Sequence, residues 1–177
     1  MIAAARAAGR VLMVAQVLRF WPDYAAARKI VRSGRLGPVR HAFFYRKCAA
    51  PGWSKWMHDK TRSGGGAFDL LIHDFDYCRH LFGKPRAIRA TGVEDMPKGI
   101  DTAEARLDYG PQGPLVTVAG GWRHPQAYPF SMEFTIVCDG GTLDFRSGLR
   151  ELTLYKADGT SEAPEKPETD GFVAELT

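Results

Sequence analysis

From Ala87 onward the chain divides into six short stretches of alternating apolar and polar residues: Ala87 to Val93, Thr102 to Tyr109, Leu115 to Trp122, Phe130 to Cys138, Thr142 to Phe145 and Glu151 to Tyr155. Alternation with a period of two is the mark of a strand with one buried face. The Gly-, Pro- and Asp-rich turns between these stretches are too short for crossover helices, so most neighbours pair antiparallel. An earlier stretch, Val39 to Lys47, sets Val39, His41, Phe43 and Tyr45 against Arg40, Ala42, Phe44 and Arg46, with aromatics on both faces.

The first half reads as helical. Pro22 suits the first position of a helix running through Tyr24, Ala27, Ile30 and Val31 to a stop near Gly34. The spacing predicts a second helix over Ala67 to Phe82, with Phe68, Leu71, Ile72, Phe75, Cys78 and Phe82 on its apolar stripe and Gly83 and Pro85 beyond its end. Helices followed by a strand meander imply an α+β fold, with a large, mostly antiparallel open sheet and helices packed on one face. At the N-terminus, Met1 to Ala8 reads as a helix closed by Gly9, and Val11 to Val17 as a buried strand. That pair resembles the last αβ unit of a parallel sheet, which cannot bury its own faces. Ala163 to Asp170 reads as a Pro/Glu-rich loop, and Gly171 to Thr177 as the start of a helix.

At 177 residues and 45% hydrophobic content, the chain suffices for one sizeable core. Its 24 basic and 20 acidic residues are scattered without a basic block, so no nucleic-acid partner is expected. No apolar run reaches the roughly 18 residues of a membrane span, and neither a signal peptide nor an anchor is expected. Cys48, Cys78 and Cys138 are odd in number and too far apart for a zinc-type pair, which fits buried thiols in a reducing cytoplasm.

The predicted helix Ala67 to Phe82 also carries Asp69, His73, Asp76 and His80, at steps of four, three and four residues. At about 100° per residue these share one face, within roughly 60° of one another. A carboxylate one turn before a histidine can bond one ring nitrogen and leave the other to take a proton from a substrate hydroxyl, which is general-base geometry. An ordinary solvated helix face has the same pattern. A metal held by His73, Asp74 and Asp76 is a further alternative; adjacent helix positions point apart, which leaves His73 with Asp69 or Asp76 as the chelating pair. Upstream, Gly64, Gly65 and Gly66 leave backbone amides open to a polar ligand, and Trp53, Trp56 and His58 suit either an aromatic-lined cleft or core packing.

The run Ser63-Gly-Gly-Gly-Ala-Phe-Asp69-Leu-Leu-Ile-His73-Asp-Phe-Asp76 resembles the motif of Gfo/Idh/MocA oxidoreductases, in which a glycine-rich stretch leads into D-x-x-x-H-x-x-D. Similar matches are Ala4 to Val14 with Arg19-Phe20, Ser33 to Gly37, the Trp56 and Asp59 loop, and Gly140 to Leu143. The resemblance implies that residues 1–18 are the tail of a dinucleotide-binding domain and residues 19–177 a substrate-binding and oligomerisation domain, truncated at its C-terminus. It implies His73 as the acid/base, Asp69 as its orienting or substrate-binding partner, and Arg19, Trp56 and Asp76 as substrate contacts. The implied activity is NAD- or NADP-dependent oxidation of a secondary alcohol on a sugar or polyol, by a dimer or tetramer joined through the open sheet. That sheet is expected to bare Phe, Met and Ile. The family's dinucleotide fingerprint and the Glu-Lys-Pro segment that accompanies it would both lie upstream of Met1, so tight cofactor binding by this chain alone is not expected. A non-catalytic binding module and a metal-dependent hydrolase or isomerase are the rival readings.

Overall fold

The computed structural model describes residues 1–95 and 100–177. In chain order the elements are α1 (Ile2–Ala7), a 3-10 turn (Val17–Arg19), α2 (Pro22–Ser33), β1 (Val39–Ala49) and a second 3-10 turn (Lys55–His58). Then follow α3 (Lys60–Ser63), α4 (Gly65–Asp69), α5 (Ile72–Phe82), β2 (Ala87–Asp95), β3 (Ile100–Asp108), β4 (Leu115–His124), β5 (Ser131–Cys138), β6 (Gly141–Arg146), β7 (Arg150–Lys156), β8 (Ser161–Glu162) and α6 (Gly171–Leu176). The strands form one sheet in the order β2-β3-β4-β1-β5-β6-β7-β8. Only β1 and β4 run parallel; every other neighbouring pair is antiparallel, as the short turns require.

One face of this sheet is covered. Ala42 and Phe44 of β1, Val118 of β4, Phe134 and Ile136 of β5, Leu143 of β6 and Leu152 and Leu154 of β7 pack with Tyr24, Ala27 and Ile30 of α2 and Tyr77, Cys78 and Leu81 of α5. The Tyr24 ring meets those of Tyr77 and Phe134 edge-on, each at 4.8 Å between centroids, an arrangement that aligns ring edge with ring face. The Tyr77 hydroxyl donates to the Tyr24 carbonyl at 2.6 Å, joining the two helices through a buried hydrogen bond.

The tandem Gly120-Gly121 lets three strands meet at the centre of this sheet. Gly120 has φ 145° and pairs with Arg46, and a Cβ there would stand 1.8 Å from the Arg46 carbonyl oxygen; at Gly121 it would stand 2.1 Å from that of Asp101. Neither position has room for a side chain. Gly120→Ala is expected to lower stability by about 2–3 kcal/mol, combining overpacking with backbone strain, as read by urea unfolding. A loss under about 0.5 kcal/mol would show that β1 can shift freely.

Three expectations are corrected. Val11 to Val17 does not form a strand: residues 10–16 lie outside the sheet, with Val11 95% and Val14 79% exposed. A strand needs neighbours to satisfy its backbone groups, and none is within reach of this segment. The apolar residues of β5, Met132, Phe134 and Ile136, face the helices and are buried, whereas Glu133, Thr135 and Val137 alternate with them on the open face. The open face is therefore more polar than expected; its aromatic residues include Phe43, stacked on Tyr45 at 6.4 Å, and Tyr155 of β7. Finally, the helix over Ala67 to Phe82 is broken in two.

Candidate active site

The break falls at Leu70 and Leu71, between α4 and α5. The Leu71 amide reaches back to the Gly66 carbonyl at 3.2 Å, and the Asp74 amide to the Leu71 carbonyl at 3.1 Å, so the hydrogen-bond register slips at this point. The slip serves two cores. Leu70 is buried with Ala50, Met57 and Trp122, and Leu71 joins the main core under the sheet. Phe68 and Ile72, expected on the apolar stripe, are 69% and 37% exposed instead.

Asp69 therefore ends α4, and His73 stands in the first turn of α5. Both are half-buried. They interact electrostatically, but the expected hydrogen bond is not formed: His73 Nδ1 is buried without a partner among the described residues. Burial, then the nearby Arg46 guanidinium, holds the His73 pKa below the free-imidazole value against the opposing pull of Asp74, Asp69 and Asp76. The ring is thus uncharged near neutrality, the state a proton acceptor needs. Burial pushes the Asp69 carboxyl up, and His73 partly offsets this.

Asp74, the residue after His73, is fully buried. Its carboxylate accepts from Arg46 Nε at 2.7 Å and Nη2 at 3.1 Å, a two-pronged bond between α5 and β1 with the arginine only 4% exposed. Asp76 forms a second fork, accepting from Arg19 Nε at 2.8 Å and Nη2 at 2.6 Å. This pair ties the turn before α2 to the middle of α5. Arg19 and Asp76 line a cavity of about 730 Å³ together with Gln16, Ile72, Phe75 and Arg79, on a flank of α5 that excludes His73. Trp56 is 44% exposed and Trp53 80%, so neither is a core residue. The structure thus joins Arg19 to Asp76 and sets Asp69 near His73.

The glycine amides do not stay open. Gly64 donates to the Lys60 carbonyl at 2.9 Å and Gly65 to Ser63 Oγ at 3.0 Å. The buried Asp101 carboxylate, on β3, lies against the Gly66 and Ala67 amides; burial, the largest effect, raises its pKa, and Lys60 and these amides oppose that rise. A Cβ at Gly66 would stand 2.5 Å from Asp101 Oδ1 and 3.1 Å from the Trp122 ring. The absence of a side chain at Gly66 lets α4 seat against β3 and β4, with the Asp101 carboxylate in front of the glycine run.

Residues 24–144 match the GFO/IDH/MocA C-terminal domain. The chain belongs to the Gfo/Idh/MocA family. Inositol 2-dehydrogenase of Rhizobium meliloti (strain 1021) is 34% identical to this Gfo/Idh/MocA chain over 113 residues, covering 62% of this chain and 32% of the relative. Levoglucosan dehydrogenase, in complex with NADH and levoglucosan, shares the fold at TM-score 0.74 and 22% identity, covering 93% of this chain and 48% of that one. Aldose-aldose oxidoreductase from Caulobacter crescentus, complexed with glycerol, does so at TM-score 0.74 and 22% identity, covering 99% of this chain and 54% of that one. The chain spans about a third of the length of the curated relatives it matches.

The pairing of Arg46 with Asp74, and the place of Asp101, escaped the sequence reading of this Gfo/Idh/MocA domain. A signal for the first pair was present: Arg46 shares a strand face with Ala42 and Phe44, and Asp74 lies three residues after Leu71 and four before Cys78, on the buried side of α5. A charge on each of two apolar faces points to a buried ion pair.

Proposed function

We propose that this chain is the substrate-side part of an NAD(P)-dependent oxidoreductase acting on a secondary alcohol of a sugar or polyol, with His73 as proton acceptor. The observation that carries the reading is the half-buried His73 ring, uncharged near neutrality and next to Asp69. An imidazole in that state can take the hydroxyl proton as the carbinol carbon is oxidised. Inositol 2-dehydrogenase and levoglucosan dehydrogenase, named for a cyclic polyol and an anhydrosugar, support the substrate class. Asp69 serves as the electrostatic partner of His73, Trp56 as an exposed contact for a sugar face, and Arg19 and Asp76 as the polar wall of the adjoining cavity.

The described residues do not fit a nicotinamide cofactor. The chain has no G-x-G-x-x-G run, and residues 10–16 are outside the sheet, so no strand, glycine turn and helix cradle a pyrophosphate. The redox partner has to be bound by residues other than these, and we take residues 1–18 as the tail of the domain that binds it. The same observation favours a second reading in which this chain alone binds and assembles without turnover. Titrating the 177-residue chain into NADH and following nicotinamide fluorescence is expected to show no tight complex. Tight binding would contradict both the domain boundary and the second reading. Asp74 and Asp76 are each engaged by an arginine fork, and no group of three or more His, Cys, Asp or Glu among the described residues is placed to hold an ion, which disfavours the metal-dependent alternative.

Three unpaired cysteines support a reducing compartment. No helix among the described residues is long and apolar enough to cross a membrane. We also infer a dimer or tetramer through the open sheet face, supported by Phe43 and Tyr45 stacked at its middle; sedimentation velocity giving only a monomer at micromolar concentration would contradict it.

The activity is tested in a longer chain that carries a dinucleotide-binding domain, by following nicotinamide reduction with inositols and pyranose sugars. Turnover with a member of that panel is expected, and its absence across the panel would overturn the substrate class. In that protein, Asp69→Asn removes a carboxylate that favours protonated His73. The acid limb of kcat/KM is therefore expected to move to lower pH; an unmoved limb would leave Asp69 a structural role.

A further inference from the structure

We propose that the buried Arg46–Asp74 pair is the positioning device of this site: it pins the first turn of α5 to β1 and keeps a fixed positive charge in the neighbourhood of His73. The inference rests on the reading of His73 as proton acceptor. Asp74 is 0% exposed and directly follows His73, so the fork that fixes its carboxylate also fixes the backbone from which the imidazole projects.

Arg46 has little else to bond. Its Nη1 meets only the weak acceptor Met132 Sδ at 3.6 Å, and the guanidinium lies 5.9 Å from the centre of the Phe130 ring. Burial, the largest single effect, would push the Arg46 pKa down; the Asp74 carboxylate, together with Tyr24 and Cys48, more than offsets it, so the arginine stays charged. The β1 backbone that carries it is held in turn by the contact with Gly120, where no side chain fits.

A buried ion pair gives little stability beyond a well-packed apolar pair of the same volume, because both charges leave water. Two apolar residues would fill the space between β1 and α5. They would neither set the rotation of the first turn of α5 nor act on a titrating neighbour. The charged groups facing His73 are Arg46 from β1, Asp69 from α4, and Asp74 and Asp76 from α5 itself. Arg46 alone disfavours the protonated ring, and Asp74 is the nearest of the three carboxylates in sequence.

The test is an NMR titration of the His73 imidazole in the 177-residue chain and three variants, with near-ultraviolet circular dichroism to confirm folding. Arg46→Met removes the positive charge and is expected to raise the His73 midpoint. Asp74→Asn, close to isosteric, leaves the charge uncompensated and is expected to lower it. Arg46→Lys keeps the charge and is expected to leave the midpoint near that of the unsubstituted chain. Opposite shifts from the two sides of one bond are not produced by simple loosening, which would move both midpoints toward the free-imidazole value. Midpoints that move together, or do not move, would overturn the proposal. Should Arg46→Met not fold, Asp74→Asn decides: a downward shift supports the proposal, and an unmoved or raised midpoint refutes it. None of these outcomes depends on turnover, so failure of His73 as a proton acceptor in the longer chain is a separate result.

Discussion

His73→Ala, in a longer chain carrying a dinucleotide-binding domain, is expected to lower kcat about 10²- to 10⁴-fold with little change in cofactor affinity. The size follows from losing a positioned proton acceptor: solvent must then take the hydroxyl proton, at the cost of the orientation that the first turn of α5 supplies. Cofactor affinity holds because no described residue beside His73 forms a dinucleotide cradle. Steady-state kinetics with saturating cofactor checks both halves, and unchanged turnover would remove His73 from the mechanism.

Arg46→Met is expected to cost about 3–5 kcal/mol of stability, because it leaves the Asp74 carboxylate buried without its partner. Arg46→Met/Asp74→Leu, which removes both charges, is expected to recover most of that loss, since burial of apolar atoms replaces a pair whose desolvation cost nearly cancels its attraction. Urea unfolding of the two variants beside the parent chain reads the difference directly. A single variant costing under about 1 kcal/mol would mean that water reaches Asp74 once Arg46 is gone, and the pair would lose its claim to hold α5 in place.

The sheet was legible because alternation survives in β1 and in β3 to β7, where it depends only on which face meets the core; β2, exposed along Ala87 to Val93, was placed by the turns on either side of it. The helices α2 and α6 were legible through their ends: Pro22 at the first turn of α2 and Gly34 in the left-handed conformation after it, and Gly171 opening α6 behind the Asp170 cap. The open face was misjudged because the period shows that β5 has an apolar side without showing which layer covers it. Met132, Phe134 and Ile136 meet the helices because β1, its neighbour, turns Ala42 and Phe44 to the same layer.

At the site, sequence spacing located His73 and Asp69 but assumed a continuous helix. The slip at Leu70 and Leu71 depends on two separate cores, one of them built from Ala50, Met57 and Trp122, residues distant in sequence that no local pattern connects. For the same reason the glycines were misassigned. The amides of Gly64 and Gly65 turn back to Lys60 and Ser63, and Gly66 packs against Asp101, which reaches α4 through the pairing of β3 with β4. The forks Arg46–Asp74 and Arg19–Asp76 join residues 28 and 57 positions apart, and the long-range partner is what turns an ordinary aspartate into a structural one.

The most direct measurement of proton transfer to His73 is the pH dependence of kcat/KM in the longer chain, with and without His73→Ala. An acid limb with its midpoint below the usual imidazole value is expected in the parent and absent from the variant, because burial and Arg46 disfavour the protonated ring. The same limb in both proteins would show that another group takes the proton.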